Sequence, residues 1–263
     1  MTDLMTRWRW MPVALVAGVA ALAAYAYGFD ASSLQDRLVR HVLASVVQVL
    51  APLVAGVGCL TATRVYAPGD RERGVWSLCA VATATWAIGR AIFAFQQWWG
   101  GTAVPYPSAA DAFFAGAYVL LAAALAIEVR LVLPMLERSH RLALLGLGFV
   151  GWVAGFLYVL QPILGSAATP VQKLLALLYP TVAVFLVPAG LAPALGFRGG
   201  ASAYVWLTVA LAAVCLAAAS LGYSFLTWYG LYSDVHSVNA LWVAGFMLLG
   251  IGGFWQRAVQ EEV

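Results

Sequence analysis

Charge is what this sequence has least of. Only 10% of its 263 residues are charged and 63% are hydrophobic, whereas soluble domains carry roughly 25% charged residues. This balance excludes a globule that folds in water. In lipid, backbone N–H and C=O groups must bond within helices or closed barrels. The apolar runs are continuous, without the alternation of barrel strands, so we predict an all-α polytopic membrane bundle.

Lysine, histidine and cysteine are also scarce. The single lysine, Lys173, begins a predicted span, which leaves no mid-helix attachment point for a retinal Schiff base. The three cysteines lie inside apolar runs, where thiols act as small hydrophobes. No histidine pair, phosphate loop or serine elbow is present. We therefore predict no enzyme activity, catalytic residue, cofactor or metal. Without a basic stripe, the net charge of +3 does not indicate nucleic-acid binding.

Apolar runs long enough for a bilayer, which needs about 20 residues per helix, recur along the whole chain. We predict a single domain over 1–263 with eight spans, near 11–29, 42–63, 75–99, 109–133, 142–164, 173–197, 202–227 and 236–255. The first run also resembles a signal peptide, but it exceeds the usual core of about 7–15 residues. We interpret it as a retained span and leave cleavage open.

The loop charges predict the orientation. With the N-terminus inside, one side receives ten cations and the other three. This positive-inside bias predicts a multi-pass protein of the inner (plasma) membrane with both termini in the cytoplasm. The ten are Arg7, Arg9, Arg64, Arg71, Arg73, Arg130, Arg138, Arg141, Arg198 and Arg257; the three are Arg37, Arg40 and Lys173.

Arg90 is the main ionisable residue inside a predicted span. It lies nine residues before Trp99, about 13 Å below the outer boundary at 1.5 Å per residue. A charge at that depth needs a partner, and Asp111, at the outer start of the next span, is the nearest in topology. Glu128 lies close to the inner boundary, where we expect it to reach water.

Aromatic and polar residues gather at the predicted outer face. An interfacial aromatic belt accounts for many of them, and an outward-facing pocket for a small amphipathic or lipid-like ligand is the alternative. The residues that we predict to bind this ligand are Arg90, Trp99, Tyr106, Asp111, Trp228 and Asn239.

Two other features favour different functions. Pro180, Pro188 and Pro193 fall in the sixth run, which we expect to be kinked or locally unwound, as in transporters and channels. Gly151 and Gly155 form a small-xxx-small pair for helix contacts, within the bundle or in an assembly subunit.

Several short motifs carry a resemblance. They are Trp86-Ala-Ile-Gly89, Pro105-Tyr-Pro-Ser-Ala-Ala-Asp-Ala-Phe-Phe114, Tyr179-Pro180, Gly222-Tyr-Ser224 and Asn239-Ala-Leu-Trp-Val-Ala-Gly245. Together they resemble the N-terminal multi-span sensor region of bacterial diguanylate cyclase/phosphodiesterase (GGDEF/EAL) signalling proteins. The resemblance covers the third to eighth runs and lacks the catalytic domains.

The resemblance implies a membrane-embedded sensory or regulatory module that signals through a cytoplasmic partner, without cyclase activity. Asp111 matches an acidic position of that family. Three further positions that are often acidic there differ in this chain, which holds Ala183, Ser220 and Asn239. The alternative functions are a small-solute transporter or channel and a non-catalytic scaffold subunit.

Overall fold

The structure is a computed structural model that describes residues 2–28, 34–99 and 106–261, with side chains from 13–28, 36–99 and 106–261. These residues form helices and no strand. In chain order the helices are α1 (Thr2–Gly28), α2 (Leu34–Thr63), α3 (Arg71–Trp99), α4 (Ala109–Val132), α5 (Arg138–Leu164), α6 (Pro170–Gly196), α7 (Ala201–Trp228) and α8 (Val238–Glu261).

The predicted fold class is confirmed, because the chain is an all-α polytopic bundle. Helices α2 to α8 are each long and apolar enough to cross a membrane, so this is a multi-pass membrane protein. The described apolar part of α1, Val13–Gly28, is shorter than these seven helices. The eighth span and the sides of the two termini stay predictions.

Six helices pack in a closed ring, in the order α2, α3, α4, α6, α7 and α8, with α8 returning to α2. Helix α1 lies outside this ring against α2 and α8, and α5 lies outside it against α6. The ring interfaces are rich in buried alanine, which lets helix backbones approach closely in lipid. The ring therefore supplies the core on which a site can be built.

Glycine brings α2 and α8 closest together. A Cβ added to Gly253 would lie 2.5 Å from the carbonyl carbon of Gly58, and one added to Gly250 would lie 2.9 Å from the Cα of Ala55. Gly151 and Gly155 also face the bundle interior, against Val184 and Leu221 respectively. Their small-residue pair is therefore used within the molecule.

The sixth run was expected to be kinked or locally unwound at its prolines, and the expectation of local unwinding is wrong. Helix α6 is continuous from Pro170 to Gly196. Unwinding in lipid would expose several backbone groups, whereas each proline removes only one hydrogen bond. The described irregular turn instead lies in α5, where a wide π turn over Phe156–Leu160 precedes Pro162.

Contacts between loops define the two ends of the ring. At one end Gln172 donates to the carbonyl of Tyr106 at 2.9 Å, which joins the segment before α4 to α6. At the other end Gln256 donates to the Tyr66 hydroxyl at 2.6 Å, which joins the α2–α3 loop to α8. We call these the cavity end and the arginine-rich end. The latter holds Arg64, Arg71, Arg73, Arg138, Arg141, Arg198 and Arg257.

Candidate ligand-binding cavity

A cavity of about 370 Å³ lies inside the ring at the cavity end. It is enclosed by α3, α4, α6, α7, α8 and the loop between α7 and α8. Its volume is near the lower end of the roughly 300–1,000 Å³ typical of small-molecule sites. Its walls combine aromatic rings with a few polar groups: Trp86, Arg90, Phe93, Gln97, Tyr106, Ser108, Asp111, Phe114, Tyr118, Tyr179, Ser220, Tyr223, Thr227, Tyr232, Ser233, Asp234 and Trp242.

Helix α3 supplies one complete wall of the cavity. Trp86, Arg90, Phe93 and Gln97 recur at the spacing that places side chains on one helix face. Arg90 is therefore turned into the bundle rather than toward lipid. Its side chain cannot move to solvent without rotating the helix that carries the other three.

Arg90 is buried, and no described residue is placed as its counterion. Its exposure is 6%, and among the described residues its Nε has no hydrogen-bond partner and no carboxylate lies within 4.0 Å. The guanidinium carbon lies 5.0 Å from the ring centroid of Phe93, a cation–π contact. An unpaired buried charge costs several kcal/mol, so this guanidinium is prepared for an anionic group.

The predicted ion pair between Arg90 and Asp111 is wrong, although both residues line the cavity. Asp111 is occupied by its own helix end and by α6. Its Oδ2 accepts from the backbone N–H of Ser108 at 2.7 Å, in the capping box that begins α4. Its Oδ1 accepts from the Tyr179 hydroxyl at 2.9 Å. These two bonds satisfy the carboxylate locally and leave Arg90 free.

The loop between α7 and α8 closes part of the cavity and is held by Asn239. This fully buried side chain donates to the carbonyls of Ser233 at 3.2 Å and Asp234 at 2.9 Å. Its Oδ1 accepts from the Tyr232 hydroxyl at 3.0 Å. Burial raises the pKa of Tyr232, so the phenol keeps the proton that it donates.

The same loop presents a second charged group to the cavity. Oδ2 of Asp234 accepts a short hydrogen bond from Nε2 of Gln97, which ties the loop to α3. Oδ1 of Asp234 is buried and has no partner among the described residues. Among these residues the cavity thus offers one unused donor, on Arg90, and one unused acceptor, on Asp234.

Aromatic rings form the floor. The Trp86 ring contacts Phe114 at 4.7 Å, Phe246 at 5.3 Å and Tyr118 at 5.4 Å between centroids, joining α3 to α4 and α8. Tyr118 shares a hydrogen bond of 2.5 Å with Ser220 of α7. A molecule resting on Trp86 would therefore touch a ring that packs against two other helices.

Three of the six predicted site residues line the cavity, two are exposed, and one supports a loop that lines the cavity. Arg90, Tyr106 and Asp111 line the cavity. Trp99 is 80% exposed and Trp228 37% exposed, and neither lines it, so they fit the interfacial belt. Asn239 supports the lining loop without lining the cavity itself. Burial, with Tyr223 and Asp111 nearby, raises the pKa of Tyr106, which keeps its hydroxyl proton.

The sequence analysis did not predict most of the residues that line the cavity, although many of them belong to the short motifs that it identified. The motifs that carry the family resemblance are separated by up to about 150 residues. In the structure they converge on one cavity, since they supply Trp86, Tyr106, Ser108, Asp111, Phe114, Tyr179, Tyr223 and Trp242. Asp234 and Tyr232 lie outside those motifs.

A second buried acid lies toward the arginine-rich end. Glu128 was expected to reach water, but its exposure is 2% and its Oε2 has no hydrogen-bond partner among the described residues. It follows Tyr118 by ten residues, about 15 Å along α4. The buried residues of α4 between them, Leu121, Ala124 and Leu125, are apolar. Along α4 the cavity floor and Glu128 are therefore separated by apolar side chains.

Within the described residues no group of three or more histidine, cysteine or acidic side chains is placed to hold a metal ion. Comparison of the chain with protein-family models, curated proteins and solved structures finds no match. The resemblance to sensor regions of cyclic-dinucleotide signalling proteins therefore stays a prediction from the motifs.

Proposed function

We propose that this protein is a membrane-embedded sensory or regulatory module of the inner membrane. A small ligand enters the cavity, binds Arg90 and shifts α3, which carries the change to a signalling partner in the cytoplasm. In this proposal the arginine-rich end faces the cytoplasm, as the positive-inside bias favours.

The observation that carries the proposal is the unpartnered guanidinium of Arg90 in a walled cavity. A buried pair that only fixed helix register would satisfy both charges, whereas Arg90 meets no carboxylate among the described residues within 4.0 Å. Ionisable residues of this kind inside spans mark ligand or ion sites by default. The cavity also has the aromatic walls and sparse polar groups of a small-molecule site.

The route for the signal is α3 itself. The helix places Arg90 and Trp86 at the cavity and begins with Arg71 at the opposite end. Rigid helices transmit a displacement along their length, and the packing of Trp86 against Phe114 and Phe246 couples α3 to its neighbours.

A transporter or channel is less well supported than a sensor. The sixth run, expected to be broken, forms a continuous helix, and apolar side chains of α4 separate the cavity from Glu128. The scaffold alternative also loses its feature, because Gly151 and Gly155 pack inside the molecule. Solute flux in proteoliposomes that Arg90→Gln abolishes would favour the transporter over our proposal.

Native mass spectrometry of the full chain in lipid nanodiscs tests the sensor proposal. We expect the wild-type protein to retain a small molecule that the Arg90→Gln protein loses. The matched variant Arg257→Gln removes an exposed arginine that pairs with Glu261, and it should retain the molecule. A bare wild-type protein, or one carrying only a partner subunit, would move the function to the scaffold alternative.

Hydrogen exchange then tests signalling. Adding the retained molecule to stripped protein should change the exchange of the α2–α3 loop, residues 64–70, at the far end of α3. Binding that left this loop unchanged would remove the regulatory part of the proposal and keep only the binding site.

A further inference from the structure

The unused polar atoms of the cavity carry opposite formal charges. Nε of Arg90 is a donor without a partner among the described residues, and Oδ1 of Asp234 is an acceptor without one. Arg90 is 6% exposed, so it is more than nine-tenths buried. Asp111 adds a carboxylate whose two oxygens are already bonded to Ser108 and Tyr179.

A ligand with a single charge fits this set poorly. An anion would pair with Arg90 but would lie in a cavity that also holds the carboxylates of Asp111 and Asp234. A cation would pair with Asp234 but would leave the buried guanidinium unpaired and repelled. A molecule that carries both charges compensates both protein groups at once.

The two charged groups lie at different depths. Asp234 bonds to Gln97, which is seven residues, or two helical turns, beyond Arg90 on the same face of α3. The rise between these two positions is about 10 Å. With a hydrogen bond of roughly 3 Å at each end, about 4 Å remains between the charged groups of a ligand that spans this rise. That separation is longer than in an α-amino acid.

We propose that the cavity binds a small zwitterion, with its carboxylate or phosphate on Arg90 and its ammonium nitrogen at Asp234. This inference rests on the proposed function and names the ligand class of the same site. Tyr223, Tyr232 and Trp242 also line the cavity, and aromatic faces attract ammonium groups as well as apolar chains.

The zwitterion has two sources with the same chemistry. A free solute such as an ω-amino acid carries a carboxylate and an ammonium group. The headgroup of phosphatidylethanolamine carries a phosphate and an ammonium group. The cavity volume of about 370 Å³ accommodates the headgroup or the solute, and the experiment below separates them.

Three probes with the same carbon chain test the class: 4-aminobutanoate, butanoate and butan-1-amine. Their dissociation constants are measured by calorimetry on the full chain in phosphatidylglycerol nanodiscs. We expect 4-aminobutanoate to bind at least tenfold more tightly than either single-charge probe. Glycine and 6-aminohexanoate, the short and long zwitterions, should also bind more weakly than 4-aminobutanoate.

Charge-removing variants assign the two ends. In Arg90→Gln the preference for 4-aminobutanoate over butan-1-amine should fall below threefold, because the carboxylate of the probe has lost its partner. In Asp234→Asn the preference for 4-aminobutanoate over butanoate should fall below threefold, because the ammonium group of the probe has lost its partner. Each ratio is measured within one protein, so it does not depend on the folded fraction. The controls Arg257→Gln and Asp70→Asn, both in exposed positions, should keep both preferences.

The lipid arm identifies the source. If exchange of half the lipid for phosphatidylethanolamine weakens 4-aminobutanoate binding at least tenfold, the headgroup occupies the site. If binding is unchanged, the ligand is a free solute. Either result supports a zwitterion site.

Butanoate or butan-1-amine binding as tightly as 4-aminobutanoate would overturn the inference, as would the failure of all three probes to bind. The proposed function is judged separately, by retention of a molecule in native mass spectrometry. Retention of an anion or a cation would support the proposed sensor function and contradict only the proposed zwitterionic ligand.

Discussion

The Tyr179 hydroxyl donates a hydrogen bond of 2.9 Å to Oδ1 of Asp111, joining the middle of α6 to the first turn of α4. The same hydroxyl lies 3.1 Å from the Asp111 carbonyl oxygen. Asp111 is only 8% exposed, so this bond replaces water that the carboxylate has lost. Through it, the first turn of α4 is fixed to α6.

Tyr179→Phe should lower the free energy of unfolding by about 2 kcal/mol, because a hydrogen bond to a charged group is worth roughly 1.5–3 kcal/mol. The measurement is reversible denaturation in mild detergent. Tyr158→Phe removes a hydroxyl from a residue that is 78% exposed and should change stability by less than about 0.5 kcal/mol. In a double-mutant cycle with Asp111→Asn, the two changes should not add. Additive effects would show that the pair is not coupled.

Removal of the Arg90 charge should stabilise the ligand-free protein. Arg90→Gln replaces a buried cation that has no carboxylate among the described residues within 4.0 Å, so we expect the free energy of unfolding to rise by about 1 kcal/mol or more. Thermal unfolding of protein stripped of bound molecules measures this. Arg257→Gln breaks an exposed pair with Glu261 and should have almost no effect. A less stable Arg90→Gln protein would indicate a structural role for the guanidinium.

Asn239→Ala should loosen the loop that closes the cavity. It removes one acceptor contact, to Tyr232, and two donor contacts, to Ser233 and Asp234. The free energy of unfolding should fall by about 2–3 kcal/mol. Faster hydrogen exchange of residues 231–237 should accompany the loss. The control Ser237→Ala changes an exposed neighbour on the same loop. Equal exchange in the two variants would mean that Asn239 does not hold the loop.

Gly253→Ala should separate α2 from α8. The new methyl group would lie 2.5 Å from the carbonyl carbon of Gly58, which is backbone and cannot turn aside, so we expect a cost of about 1–3 kcal/mol. Gly146→Ala is the matched control, because nothing lies within 4 Å of its added Cβ, and it should be neutral or stabilising by up to about 1 kcal/mol. Thermal unfolding of both variants decides the comparison.

The charge of Arg90 was visible as a functional signal in the sequence, but its partner was not. Asp111 was chosen as the nearest acid along the topology, and it does face the same cavity. The pairing was wrong because the carboxylate oxygens of Asp111 already accept hydrogen bonds from the backbone N–H of Ser108 and from the hydroxyl of Tyr179. Which neighbour bonds to a carboxylate depends on three-dimensional positions. The boundaries of the predicted membrane spans contain no information on these positions.

Exposure was the other property that the sequence predicted poorly. Trp99 and Glu128 both lie near the ends of predicted spans, where depth alone suggests an interfacial ring and a solvated acid. Trp99 fits that belt, at 80% exposure, whereas Glu128 faces the ring interior at 2% exposure. Depth follows from position along a helix, but the direction of a side chain follows from which helices surround it.

The sequence by itself determined the helical membrane class, since a chain with so few charges must satisfy its backbone within helices in lipid. It also determined most helix positions, because apolar run length corresponds directly to bilayer thickness. Only the tertiary structure decided that six helices close into a ring, that α6 passes its prolines without unwinding, and that distant motifs meet around Arg90. Packing between helices determines these features. In lipid no hydrophobic force sets the rotation or the neighbours of an apolar helix, so the shapes of the helices and the pairing of their few polar groups decide both.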